Sequence, residues 1–152
     1  MKTSSRAALL DVNVLLALID DGHVHHQVAH DWFADDGAAA WSTCPMTENG
    51  VIRILSNASR VDDPVSVPTI VEVLHALRER GGHQFWSEDI SMCDRARFDV
   101  SVVRDHQQIA DVYLLGLAVK NGGRFVTFDQ RLPLAAVKGA RREHLEVLAP
   151  TE

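Results

Sequence analysis

The sequence predicts an α/β fold in three layers, a mostly parallel central sheet of about five strands flanked by helices. Three observations carry that expectation. Short apolar runs alternate with stretches of helical periodicity along the chain, the pattern of right-handed βαβ crossovers. The first run, Arg6–Leu10, is continuously apolar after its arginine, as a strand buried on both faces must be. Glycine pairs, Gly81-Gly82 and Gly122-Gly123, close helical segments just before further strands.

The elements follow in order. Arg6–Leu10 is the first strand, and Val14–Ile19 a helix stopped by Asp20-Asp21-Gly22. His25–Ala34 sets Val28, Ala29, Trp32 and Phe33 at helical spacing, a core face of which part would suit a partner helix. Ala38–Ser42 is a short second strand. Thr43-Cys44-Pro45 starts the helix Met46–Leu55, with proline near its first position. Ser56–Pro68 is a polar, proline-marked loop, and Thr69–Arg80 a helix with Ile70, Val73, Leu74 and Leu77 on one face. His83–Ile90 holds a short third strand around Phe85-Trp86, and Asp94–Phe98 a helical turn. Asp105 and Gln108 have capping-box spacing for a helix running to Lys120. Arg124–Phe128 is a strand delivering Asp129, and His144–Leu148 the last strand. No repeat or linker interrupts this, so residues 1–152 read as one domain.

The composition, 46% hydrophobic and 24% charged, is that of an ordinary globular protein. Lys2 and Arg6 before the apolar run mimic a secretory signal, but Asp11 and Asn13 interrupt it and no small-residue cleavage pattern follows. No apolar run approaches the ~20 residues that span a bilayer. A cytoplasmic protein with no membrane association is expected. Cys44 and Cys93 lack metal or redox spacing and read as reduced thiols. The net charge of −6 excludes a general nucleic-acid coating protein, though not an enzyme that meets phosphates through a metal ion. Any RNA contact then needs a local basic patch, for which Arg124, Arg131, Lys138, Arg141 and Arg142 are candidates.

Two acids stand out because each lies in a core-forming run, Asp11 in Ala7–Ile19 and Asp111 in Ile109–Val119. An ionised carboxylate without a partner costs several kcal/mol to bury. In parallel sheets, sites form beyond the carboxyl ends of the strands. Asp11 and Asp129 fall there, Glu48 joins them from the first turn of its helix, and Asp111 from the second turn of its own. Carboxylates brought together repel unless one is protonated or a cation neutralises them. An oxygen-only set suits a hard ion, Mg²⁺ or alternatively Mn²⁺, singly or as a pair about 3.5–4 Å apart. Asn13 and Thr127 are candidates to orient the acids, and His106 and Arg131 to touch a substrate phosphate. Each acid also has a plainer reading. Asp11 is a good helix N-cap, Glu48 favours a helix dipole, Asp129 suits a turn, and Asp111 has room to face solvent. His26 and His30 have zinc-like spacing, but no Cys or Glu nearby completes a site.

The stretches LLDVNVLLAL, TENGVIRIL, IADVYLLGLA and FVTFDQRL, in this order, resemble the acidic motifs of PIN-domain nucleases. Over residues 7–148 the chain is similar to VapC toxins of bacterial toxin–antitoxin pairs. The resemblance implies a PIN-like fold and an Mg²⁺-dependent endoribonuclease with Asp11, Glu48, Asp111 and Asp129 as catalytic, metal-holding residues. It also implies a homodimer and a cognate antitoxin whose tail occludes the acidic site.

Two other functions remain open at this level. DVNV resembles the opening motif of haloacid-dehalogenase-like phosphatases, though Asn13 stands where a second acid belongs and the later lysine motif is not evident. A non-catalytic module whose acidic pocket accepts a partner's arginine is the other.

Overall fold

The structure, a computed structural model, describes residues 6–149; Lys2 lies outside them. Five strands form one parallel sheet: β1 (Ala8–Leu10), β2 (Trp41–Thr43), β3 (His83–Phe85), β4 (Arg124–Thr127) and β5 (Leu145–Val147). Their spatial order is β3-β2-β1-β4-β5. The chain therefore walks outward from β1 to β2 and β3, then returns to the other side of β1 for β4 and β5. This reversal makes the carboxyl ends of β1 and β4 a topological switch point, where such sheets open a crevice.

The helices are α1 (Val12–Ile19), α2 (His26–Asp35), α3 (Pro45–Leu55), α4 (Val67–Arg78) and α5 (Ile109–Lys120). Strand alternation sorts the core into two layers. Ala8, Leu10 and Val126 pack with α1–α4 through Leu15, Phe33, Val51 and Ile70. Leu9 and Phe125, paired across β1 and β4, pack on the opposite face with Val112, Leu115 and Leu117 of α5. Because both faces are covered, the strands carry no polar alternation, which is why β1 is legible as an unbroken apolar run. No described helix is long and apolar enough to cross a membrane.

Several boundaries differ from expectation for local reasons. Helix α1 begins at Val12, because the Asp11 side chain caps it directly. The second strand starts at Trp41, since residues 37–39 close a 3₁₀ turn after α2. Gly82 there sits against the Ala38 carbonyl, where a Cβ would lie 2.1 Å from that oxygen, and its own φ is +76°. Helix α4 starts at Val67, capped by Ser66, so Pro68 belongs to its first turn. A 3₁₀ turn at His106–Gln108 precedes α5. It shifts the capping box, so that Asp105 accepts from Gln107 N while Gln108 Oε1 reaches back to Arg104 N.

Arg124 is a correction. It is 5% exposed, not part of a surface basic patch. Its Nη1 lies 3.0 Å from Asp36 Oδ2 and 2.9 Å from Glu146 Oε1, with the guanidinium over the Trp32 ring. At the amino end of β4, this ion cluster ties α2 to β4 and β5. Cys44 is buried and Cys93 exposed, both as free thiols.

Candidate active site

Asp11 follows the last residue of β1 and performs two tasks at once. Its Oδ1 accepts the Val12 N–H at 2.7 Å, capping α1. Its Oδ2 accepts the Thr127 hydroxyl at 2.7 Å. The capping role is therefore real and leaves the carboxylate at the switch point, 6% exposed. Burial pushes its pKa up, against the two hydrogen bonds, and the Asp129 charge adds to the rise.

Thr127 ends β4 and is fully buried. Besides holding Asp11, its oxygen accepts the Asp129 N–H at 3.1 Å, so one hydroxyl fixes both acids. Asp129 also makes the turn its sequence suggests: Oδ1 accepts the Arg131 N–H at 2.8 Å and Arg131 Nε at 3.3 Å. Those bonds, the backbone one first, hold its pKa below the ordinary carboxylate range.

Asp111, in the first turn of α5, is the strained member. Desolvation first, then the charges of Asp11 and Asp129, raise its carboxyl to about 7. The proximity of Asp129 raises the Asp111 carboxyl, and Asp111 in turn helps hold Asp129 low. Three of the sequence-selected acids thus act on one another.

Glu48, in the first turn of α3, lies at the same sheet edge but is held on its β2–β3 side. Its Oε2 accepts the Thr43 hydroxyl at 2.6 Å and pairs with Arg78 Nη1 at 3.1 Å. Thr43 also bonds His83 Nε2 at 2.7 Å. Since the single hydroxyl proton goes to Glu48, His83 is the donor to Thr43. Burial and the Arg78 charge lower the His83 pKa to about 4, keeping the ring neutral.

Among the described residues, only Arg131 of the other selected ones contacts one of these acids. Asn13 is exposed, and its side chain makes no hydrogen bond among the described residues. His106 is 86% exposed beside Asp105, and Arg131 is 78% exposed on Asp129. His26 spends its Nδ1 on the Ala17 carbonyl at 2.7 Å.

Thr43, Arg78 and His83 were not selected from the sequence. One signal pointed to Thr43: β2 and β4 both end in threonine shortly before an acid, and each threonine holds one. Arg78 and His83 carry no comparable pattern.

Among the described residues, no three Asp, Glu, His or Cys side chains are already drawn to metal-ligating spacing. The donor chemistry nevertheless fits a hard divalent cation. Asp11, Asp111 and Asp129 offer only oxygen, and the burial and like charges that raise Asp111 are what a cation would offset. Glu48 is a fourth oxygen donor at the same edge.

Residues 8–138 match the PIN domain family. Ribonuclease VapC44 of Mycobacterium tuberculosis is 43% identical over 141 residues, covering 93% of this chain and 99% of its own. Ribonuclease VapC38 of the same organism is 41% identical over 122 residues, 80% of this chain and 84% of its own. The crystal structure of Mycobacterium tuberculosis VapC20, a Sarcin-Ricin loop cleaving toxin, superimposes with a TM-score of 0.56. That likeness, at 15% identity over 78% of this chain and 85% of the other, is one of fold.

Proposed function

The chain belongs to the PIN-domain family, among its VapC-type ribonucleases, and from that membership we propose that it is a metal-dependent endoribonuclease, the toxin of a toxin–antitoxin pair. The observation that carries the proposal is the placement of Asp11 and Asp129 on one Thr127 hydroxyl at the switch point, with the Asp111 carboxyl raised to about 7 by its burial and their charges.

Asp11, Asp111 and Asp129, with Glu48 beside them, would hold Mg²⁺, for which Mn²⁺ is a substitute. When bound, the ion supplies Lewis-acid stabilisation of charge developing on the phosphate oxygens. The protein's own part is positioning. Thr127 fixes Asp11 and Asp129 through one hydroxyl, and α1 fixes the second oxygen of Asp11. Thr43 and Arg78 fix Glu48. The packed core beneath β1 and β4 keeps these acids from relaxing apart.

The partners follow from the same membership: RNA as substrate, an antitoxin protein, and a second copy in a homodimer, all in the cytoplasm. Val67 and Val71, one helical turn apart, leave an apolar patch on α4, 44–47% exposed, that protein association would cover.

Incubation of the purified protein with RNA and Mg²⁺, repeated with EDTA and with Asp11→Asn and Asp111→Asn, tests the reading. Cleavage that needs the cation and both acids supports it. Undiminished cleavage by both variants overturns it.

A further inference from the structure

Phe85 ends the edge strand β3 and is 47% exposed, directly across from Thr43 in the sheet register. The Arg78 guanidinium stands over its ring, 5.2 Å from the centroid. The same guanidinium reaches Glu48 at 3.1 Å while its side chain stays 37% exposed. The guanidinium covers one face of the ring, so the exposed remainder of the aromatic and the cation are held together beside Glu48. Glu48 engages one nitrogen of the guanidinium fork and leaves exposed donor surface.

We propose that Arg78 and Phe85 bind a nucleotide of the RNA next to the scissile bond, the base stacking on Phe85 and its phosphate meeting Arg78. The inference rests on the endoribonuclease reading above and specifies how that site grips a single strand. Chemistry favours this ligand. Single-stranded RNA is recognised by bases splayed onto aromatic and arginine planes, with phosphates held by arginine forks. A chain of net charge −6 needs such a local cation to bring a polyanion onto its acids.

The sheet order places the pair well. Glu48, Asp11 and Asp129 follow β2, β1 and β4, three adjacent strands. Arg78 closes this row on the β3 side and Arg131 on the other, each paired to the outermost acid. Strands lie about 4.8 Å apart, so Phe85 on β3 sits roughly 10 Å across the edge from Asp11. That is a contact with a neighbouring nucleotide and not with the reacting phosphate. Arg78 and Phe85 are accordingly substrate-binding residues, outside the metal-holding set.

The test is fluorescence anisotropy of the full chain with a labelled single-stranded RNA oligonucleotide in EDTA, over a series of salt concentrations. Phe85→Ala should weaken binding roughly 5- to 100-fold, the loss of one stacked base, and Phe85→Trp should restore it. Arg78→Gln should reduce the slope of log K against log salt by about 0.7, the share of one phosphate on a single strand. Circular dichroism melts check that each variant is folded. If all variants bind like the parent, and the parent cleaves RNA with Mg²⁺, this contact is overturned and the nuclease reading stands. A parent that neither binds nor cleaves RNA overturns both. A shift in sedimentation for Phe85→Ala with RNA affinity unchanged identifies a protein interface and also overturns the proposal.

Discussion

Thr127 and Asp11, 116 residues apart in sequence, are joined by a 2.7 Å hydrogen bond at the carboxyl end of the central strands. Removing the hydroxyl with Thr127→Val keeps the side-chain shape but strips Asp11 of a donor and Asp129 N–H of an acceptor. A hydrogen bond to a charged group contributes about 1.5–3 kcal/mol, so a stability loss of that order is expected. Urea denaturation measures it, and RNA cleavage should fall in parallel because both acids lose their anchor. A variant as stable and as active as the parent would show that Thr127 only fills space.

Asp111 makes the cation-free protein sensitive to pH in an unusual direction. Its folded pKa, about 7, lies above the ordinary carboxylate value of 3.8. Between those values the native state binds more protons than the unfolded one, so this group's contribution to stability falls as pH rises. In EDTA, Asp111→Asn should therefore be at least as stable as the parent at about pH 8, and with Mg²⁺ present it should lose cleavage. Added Mg²⁺ should stabilise the parent and not the variant, a difference thermal melting reads directly. Equal stabilisation of both would remove Asp111 from the cation site.

Much of this was legible because it is local. The continuous apolarity of β1 and of α5 marks their elements, and an acid just after the one and inside the other is conspicuous against that background. Asp129 announces its turn through the residues that follow it. What could not be read depends on side chains meeting across the fold. Arg124 looks like any other late basic residue until α2 and β5 bring Asp36 and Glu146 to it. Arg78 looks like a helix-end cation until α4 packs on α3 and β3 pairs with β2, giving it Glu48 and Phe85. The family resemblance supplied the set of four acids. It did not supply their grouping, in which three interact and Glu48 is held by a separate threonine and arginine.

The Arg124 cluster predicts a stability effect unrelated to activity. Arg124→Met removes the cation that Asp36 and Glu146 share inside the protein. Breaking a buried ion pair by deleting one partner costs about 3–5 kcal/mol, because charge is left without compensation. Chemical denaturation should show a loss of that order. The triple variant Arg124→Met, Asp36→Asn, Glu146→Gln should recover part of it, since no net charge is then buried. If the triple is no better than the single, the loss comes from packing against Trp32 instead.

His83 has the opposite pH signature to Asp111, and the contrast separates the two. Its folded pKa of about 4 lies below the ordinary imidazole value of 6.5. The unfolded chain therefore binds the extra proton first as pH falls, and stability contributed by the neutral ring is lost from about 6.5 downward. Protonation would also place a second cation beside Arg78. His83→Gln retains an N–H donor for Thr43 without a titrating ring. Its denaturation midpoint should drop less than the parent's between about pH 7 and about pH 5, measured in EDTA. Asp111→Asn should do the reverse and make that drop steeper, because the parent's Asp111 gains stability as pH falls. Parallel pH profiles for parent and His83→Gln would mean that the ring is protonated as readily in the fold as out of it. The relay from His83 through Thr43 to Glu48 would then have a different proton arrangement.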